Sequence, residues 1–308
     1  MPNKSFLHIG APKTGSTTLQ QCIFALHPEI LYFGEDGYGW NTKEEALTGE
    51  KLVNADDLFF PIEQCLTQFA KKQREANGRI VVYSNADVMG SRRPTTCANR
   101  LFQLMPDAHI LIVLRNQYTA LTSFYANHGA YLKPAPPSHF RRYVSFEDWL
   151  SWCIMFPVDT PAGNFLYAEI IDLYASLWGR NKINILLFED FVADPDKFVC
   201  NLATLLTVDA KIAMALTKGS HRRVRGSARR LAWHKFRSQF LWNWTHINGN
   251  NQIQLWERFL DAGRPARMVI PDTCRRPIAN LYDEGNSRLV REWGLDLGKY
   301  SYPLPLSN

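Results

Sequence analysis

Gly10-Ala-Pro-Lys13-Thr14-Gly15-Ser16-Thr17-Thr18 packs two glycines, a lysine and four hydroxyl side chains into one short stretch near the N-terminus. Placed between a strand and a helix, such a stretch turns backbone N–H groups and the positive helix end toward an anion. The flanks have the required form: Ser5 to Ile9 reads as a short buried strand, and Ser16 to about Leu26 as a helix that His27-Pro28 stops. A Walker A loop, G-x-x-x-x-G-K-[ST], needs its lysine directly after the second glycine. Here Ser16 follows Gly15, and the lysine stands two residues before that glycine. An ATPase or nucleotide kinase is correspondingly disfavoured. On the shoulder of the loop, Lys13 can neutralise charge on the bridging oxygen of a leaving phosphate. The plainer reading is a glycine-containing βα turn with a surface lysine.

A second concentration of chemistry is basic. Thirty-five Lys and Arg against 29 Asp and Glu leave a net charge of +6, with the excess gathered between His221 and Arg237. This favours an anionic partner, whether nucleotide, sulfated glycan or nucleic acid, although most such runs are solvated helix faces. No base-reading motif accompanies the run, so nucleic acid is not the expected partner. The six cysteines are scattered with no C-x-x-C pair and read as reduced, mostly buried thiols, and no metal site is expected. The N-terminus lacks a secretory leader pattern, and no run of about 18 apolar residues occurs, so no membrane span is expected and the cytoplasm is the expected location.

The elements that must position these residues follow an alternating pattern. Arg79 to Tyr83 and His109 to Leu114 are short, rich in Ile and Val, and bounded by polar loops, as parallel central strands are. Lys182 to Phe188 reads as a fourth buried strand. Helices are expected from Phe146, over Asn164 to Trp178, and after Asp194-Pro195, where Asp can cap and Pro can occupy the first turn. From Ala210 the chain turns helical, basic and aromatic. With 46 % apolar residues the chain can bury a sizeable core. The pattern predicts a single domain over residues 1–308 of α/β class, three-layered, with a mostly parallel central sheet and a basic helical region at about 210–275. Excursions toward an acceptor are expected at about 34–60 and 130–165, the second containing the Pro-rich stretch Leu132 to Phe140.

The segment from His8 to Gln20, His-Ile-Gly-Ala-Pro-Lys-Thr-Gly-Ser-Thr-Thr-Leu-Gln, resembles the 5′-phosphosulfate loop P-K-[TS]-G-[ST]-[ST] of the sulfotransferases that use 3′-phosphoadenosine 5′-phosphosulfate (PAPS), and matches it without gaps. The resemblance implies a P-loop-like fold and PAPS as co-substrate, without metal. It assigns Lys13, Thr14, Gly15, Ser16, Thr17 and Thr18 to the phosphosulfate, with Lys13 acting on the bridging oxygen. Arg115 at the end of the strand from His109, and Ser123 eight residues later on an expected helix, resemble the family's 3′-phosphate signature. An arginine can grip phosphate through two parallel hydrogen bonds. Arg222, Arg223, Arg225 and Gly226 resemble the late basic loop that closes over the 3′-phosphate and adenine, the alternative being a groove for an anionic acceptor. Ile185 to Pro195 is also similar to the family, with Glu189 and Asp190 read as architectural. The tail Asn286 to Pro303 looks like that of bacterial and carbohydrate-acting members.

Direct sulfuryl transfer needs an acceptor oxygen in line with the breaking S–O bond and a group to take its proton. The family places His or Glu just after the second strand, whereas Ile80 to Ser84 leads here into Asn85-Ala86-Asp87, with Ala86 in the acidic position. Asp87 is the first candidate base, with Glu35, Asp36 and His128 as alternatives; its competing reading is a helix N-cap. His8 reads as a core histidine. The expected activity is sulfuryl transfer from PAPS to a hydroxyl or amine of an acceptor. A glycan or glycoconjugate is preferred, since the loop and tail resemble carbohydrate-acting members more than the aryl and steroid enzymes; aromatics in Gly34 to Trp40 and Leu132 to Tyr143 can stack on sugar rings or aryl groups. A nucleotide kinase, or a noncatalytic module binding nucleotides or sulfated polymers, is the alternative.

Overall fold

The computed structural model describes residues 4–34, 43–126, 143–218, 226–240, 259–260 and 262–305. The chain forms two compact units, Met1–Arg115 with Leu166–His221, and Asn116–Phe165 with Arg222–Asn308.

The first unit is built on five strands, β1 (Ser5–His8), β2 (Ile30–Gly34), β3 (Ile80–Ser84), β4 (His109–Leu114) and β5 (Ile183–Leu187). They lie in the order β2-β3-β1-β4-β5, and every neighbouring pair is parallel. β1 is therefore central, flanked on one side by β3, with His8 opposite Ser84, and on the other by β4, with His8 opposite Leu111. Alternation along each strand divides the side chains between two faces. Phe6, Val82, Leu111 and Val113 enter a cluster with Leu19, Ile23, Phe24, Phe198, Leu202 and Leu206. On the other face Phe33, Phe69 and Tyr83 pack ring against ring, with centroids 5.1–5.3 Å apart. Helices on both faces make three layers, as expected.

Side-chain caps open α5 (Gln117–Phe124), α6 (Phe146–Met155), α9 (Pro195–Leu206) and α10 (Ala210–Thr217), whereas the first helix starts without one. α1 (Ser16–Thr18) passes directly into a wider π-helical segment, Leu19–Phe24, in which the Ala25 N–H reaches back five residues to the Gln20 carbonyl at 2.9 Å. α2 (Lys43–Asn54) and α3 (Ile62–Glu75) follow β2, and α4 (Pro94–Leu104) follows β3. At the end of α2 the buried Arg100 guanidinium donates to the carbonyls of Lys51, Leu52 and Ala55 and pairs with Asp57 at 2.6 Å, which satisfies orphan helix carbonyls. In the second unit, α5 (Gln117–Phe124) is capped by Asn116, whose Oδ1 accepts from Tyr118 and Thr119, and α6 (Phe146–Met155) by Ser145. In the first unit, α7 (Tyr167–Trp178), α8 (Phe188–Ala193), α9 (Pro195–Leu206) and α10 (Ala210–Thr217) complete the order; Asp194 caps α9 through the Lys197 N–H.

The second unit also contains α11 (Ala228–Phe240) and a long C-terminal helix, Asp272–Trp293. Its core is aromatic: Trp149 is fully buried beside Phe124, Tyr125 and Phe146. A buried amide pair joins Gln117 to Asn286 at 2.9 Å, and Asn286 also donates to the Pro303 carbonyl at 2.7 Å.

Several elements differ from the sequence expectation. β2 was not anticipated. The fourth expected strand is β5 at the sheet edge, only half-buried along its middle. The expected acceptor-side excursions carry helices α2 and α6 in their described parts.

Candidate active site

Because all five strands are parallel, their carboxyl ends share one edge, the place where open α/β sheets present ligand-binding loops. The Gly10–Gly15 loop leaves β1 there, the Asn85–Asp87 turn leaves β3, and Arg115 ends β4.

The loop has an unusual backbone. Lys13 and Gly15 both lie in the left-handed region, at φ 70° and 82°, with Thr14 between them outside it. A non-glycine residue held there is strained, and such strain concentrates at functional loops. Alternation of this kind makes a concave nest of N–H groups that suits an anion. Gly15 is required twice over, since its φ is positive and a Cβ would come within 3.2 Å of the Phe188 ring. Thr14 is buried and its hydroxyl donates to the Ala11 carbonyl at 2.7 Å, bracing the loop. Ser16, Thr17 and Thr18 form the first turn, and the Thr18 N–H bonds back to the Gly15 carbonyl at 2.9 Å.

Arg115 is buried and braced on three sides. Its N–H donates to the Tyr167 hydroxyl at 3.2 Å, and that hydroxyl donates to the Arg115 carbonyl at 2.8 Å. Its guanidinium lies 4.6 Å from the centroid of Phe188 and donates from Nη1 to the Lys13 carbonyl at 2.6 Å. Lys13 and Arg115, 102 residues apart in sequence, thus meet through a backbone carbonyl, and the Phe188 ring packs on both Gly15 and Arg115. Burial pushes the Tyr167 phenol well above its ordinary range, so it serves as a neutral hydrogen-bonding brace.

Asp87 is exposed on a turn, its N–H donating to the Asn85 side-chain oxygen at 2.9 Å. The N-cap reading is corrected: α4 begins only at Pro94, and the bond is that of an Asx turn. Glu35, Asp36, His128, Arg222, Arg223 and Arg225 lie outside the described residues. Gly226 is buried, and its carbonyl accepts from the Ala266 N–H at 2.9 Å. Ser123 is buried on α5 in the second unit. Glu189 and Asp190 open α8. The cysteines are free thiols, and burial pushes Cys97 and Cys153 up to about 12, far from nucleophilic reactivity.

Sequence reasoning missed Phe188 and Tyr167 as braces, and Ser84, whose hydroxyl meets both His8 and Gln20 beneath the loop. His8 is a fully buried core residue as expected: its Nδ1 shares a 2.7 Å hydrogen bond with Ser84 Oγ, and burial lowers its pKa to about 4. The one available signal was spacing, since His8 stands two residues before Gly10 on the same strand exit.

Comparison with known proteins decides the class. Residues 3–223 match the family model described as Sulfotransferase domain. The chain belongs to the sulfotransferase family. It is a PAPS-dependent sulfotransferase. Among solved structures, a sulfotransferase from Alicyclobacillus acidocaldarius aligns with a TM-score of 0.57 at 16 % identity, covering 97 % of this chain and 99 % of that one. A sulfotransferase domain from the Curacin biosynthetic pathway aligns at 0.48 and 14 % identity, covering 99 % of each chain. A mouse sulfotransferase complexed with PAP aligns at 0.47 and 13 %, covering 97 % of this chain and 88 % of that one. At these identities the likeness concerns the fold. No curated protein matches the sequence. In this sulfotransferase the residues suit a phosphosulfate donor: two left-handed residues shape the loop, hydroxyl side chains line the turn that follows it, and a guanidinium adjoins it. Among the described residues no helix is long and apolar enough to cross a membrane.

Proposed function

We propose that this enzyme transfers the sulfuryl group of PAPS in line to a hydroxyl of a glycan or glycoconjugate. The observation that carries the reading is the Lys13–Gly15 nest with Arg115 bonded to its Lys13 carbonyl, an anion cradle joined to a second cation. In this reading Thr14, Gly15, Ser16, Thr17 and Thr18 hold the 5′-phosphosulfate through N–H groups and hydroxyls, and Lys13 neutralises the leaving bridging oxygen. Arg115 is assigned to the 3′-phosphate, with Ser123, the basic residues Arg222, Arg223 and Arg225, and Gly226 carried over from the family likeness. Asp87 is the proposed base: it is an exposed carboxylate on the turn leaving β3, beside the strand that feeds the loop. Support for a sugar acceptor comes from the likeness of loop and tail to carbohydrate-acting members. Six free cysteines accord with a reducing, cytoplasmic setting.

Calorimetric titration with 3′-phosphoadenosine 5′-phosphate (PAP), without added metal, tests the reading. The wild type is expected to bind; Arg115→Ala is expected to bind at least about tenfold more weakly, having lost a charge-assisted contact. Lys13→Ala is expected to lose about 10²–10³ in turnover with PAPS and a panel of glycans, phenols and alkyl alcohols, a larger loss than in PAP affinity. Binding of ATP with Mg²⁺ and not of PAP would overturn the assignment.

A further inference from the structure

His8 is a buried titratable residue at the donor edge to which transfer chemistry assigns no task. Its ring touches three elements at once. Nδ1 is 2.7 Å from Ser84 Oγ at the end of β3, and the same oxygen accepts from Gln20 Nε2 at 3.0 Å, on the helix that follows the loop. The His8 carbonyl accepts the Asn85 N–H at 3.2 Å, at the start of the turn that carries Asp87. Phe24 meets the ring edge-on at 5.6 Å. The far side of the ring lies directly under the loop, where a Cβ on Gly10 would sit 2.8 Å from Cε1 and 2.9 Å from Nε2. Gly10 is glycine because His8 occupies the space beneath it.

Nε2 itself is buried with no hydrogen-bond partner among the described residues. An unsatisfied buried polar atom costs stability, and an apolar side chain of similar size would avoid that cost. The position is therefore poorly explained by stability alone. Gln20 also occupies the π-helical segment, whose wider turn alters the direction of each side chain relative to an α-helix, and π segments recur at functional sites.

We propose that His8 is a positioning residue, its ring fixing the donor loop from beneath through Ser84 and Gln20 and keeping it in register with the Asn85–Asp87 turn. This rests on the sulfotransferase reading of that loop. A loop held in its binding shape loses less freedom when an anion enters, so the effect falls on ligand affinity as well as on folding.

PAP titrations and thermal melts of the wild type, His8→Leu, His8→Asn and Ser84→Ala, with ¹⁵N-imidazole NMR of the wild type, test the inference. His8→Leu is expected to bind PAP at least about tenfold more weakly per folded molecule; His8→Asn, which keeps a polar atom near the place of Nδ1, stays within about threefold of the wild type. The His8 ¹⁵N signals are expected to move when PAP is added. A folded His8→Leu protein with wild-type affinity, or ring signals indifferent to PAP, overturns the proposal. Should His8→Leu fail to fold, Ser84→Ala removes the shared hydroxyl without adding bulk; a comparable loss of affinity supports the proposal and wild-type affinity overturns it. A wild type that does not bind PAP would remove the sulfotransferase reading of the loop and this inference with it, while its ¹⁵N spectrum still reports the bond to Ser84. That pattern is distinct from failure of the positioning role alone.

Discussion

Burial keeps the His8 imidazole neutral down to about pH 4, whereas in the unfolded chain it takes a proton near 6.5. Between those values the unfolded state binds more protons than the folded one. Stability from this residue is thus complete above pH 6.5 and is lost as the pH falls toward 4, by about 3 kcal/mol at roughly 1.4 kcal/mol per pH unit. Melting temperatures recorded from pH 7.5 to 4 are expected to fall more steeply for the wild type than for His8→Asn; parallel profiles would refute this. Single residues were unevenly legible in the sequence. Lys13 to Thr18 were readable because loop composition, strand and helix coincide within a few residues. The braces on Arg115 were not, since Tyr167 and Phe188 arrive from elements more than 50 residues away. Asp87 could be read as cap or base because a carboxylate following a strand serves either role, and only the backbone beyond it, a turn closed by the Asn85 side chain instead of a helix start, separates the two.

At the scale of elements, the βα loop is tightly constrained, with Lys13 and Gly15 both in the left-handed region. Gly15→Ala would place a Cβ in the left-handed region and against the Phe188 ring, so a loss of about 1–3 kcal/mol is expected, together with a PAP affinity reduced at least tenfold. Denaturant unfolding and PAP titration on the same preparation check both effects; a stable variant with normal affinity would contradict the loop geometry. β3 and β4 were found to within a residue because a buried central strand is a plain run of β-branched and aliphatic residues, and β1 because the loop that follows it marks its end. β2 escaped because it follows His27-Pro28 within two residues, where a strand signal is read as the debris of a helix end. β5 looked buried from its composition, yet as the outer strand beside β4 it keeps its middle half-exposed. The π-helical segment leaves no local mark, since its residues are as compatible with a regular helix.

For the whole molecule, the +6 charge and the basic concentration after Ala210 predict that anion capture depends on ionic strength. PAP affinity is expected to fall about tenfold between 50 and 500 mM NaCl, as screening shortens the range of the field, while adenosine is expected to be insensitive. Equal salt dependence for the two ligands would show that the net charge plays no part. The sheet order has a further consequence, in the time domain. β1 and its loop are translated before β3 and β4, yet Phe6 pairs with Val82 on one side and His109 on the other, and Arg115 reaches the Lys13 carbonyl from the end of the neighbouring strand. β3 lies about 75 residues after β1 and β4 about 100, so β1 has no neighbour until the first has been made and only one until the second, and pairings of such long sequence separation form slowly. The proposed donor loop is therefore made before the strands that hold it, and a nascent chain of this enzyme depends on its later segments to give that motif a shape.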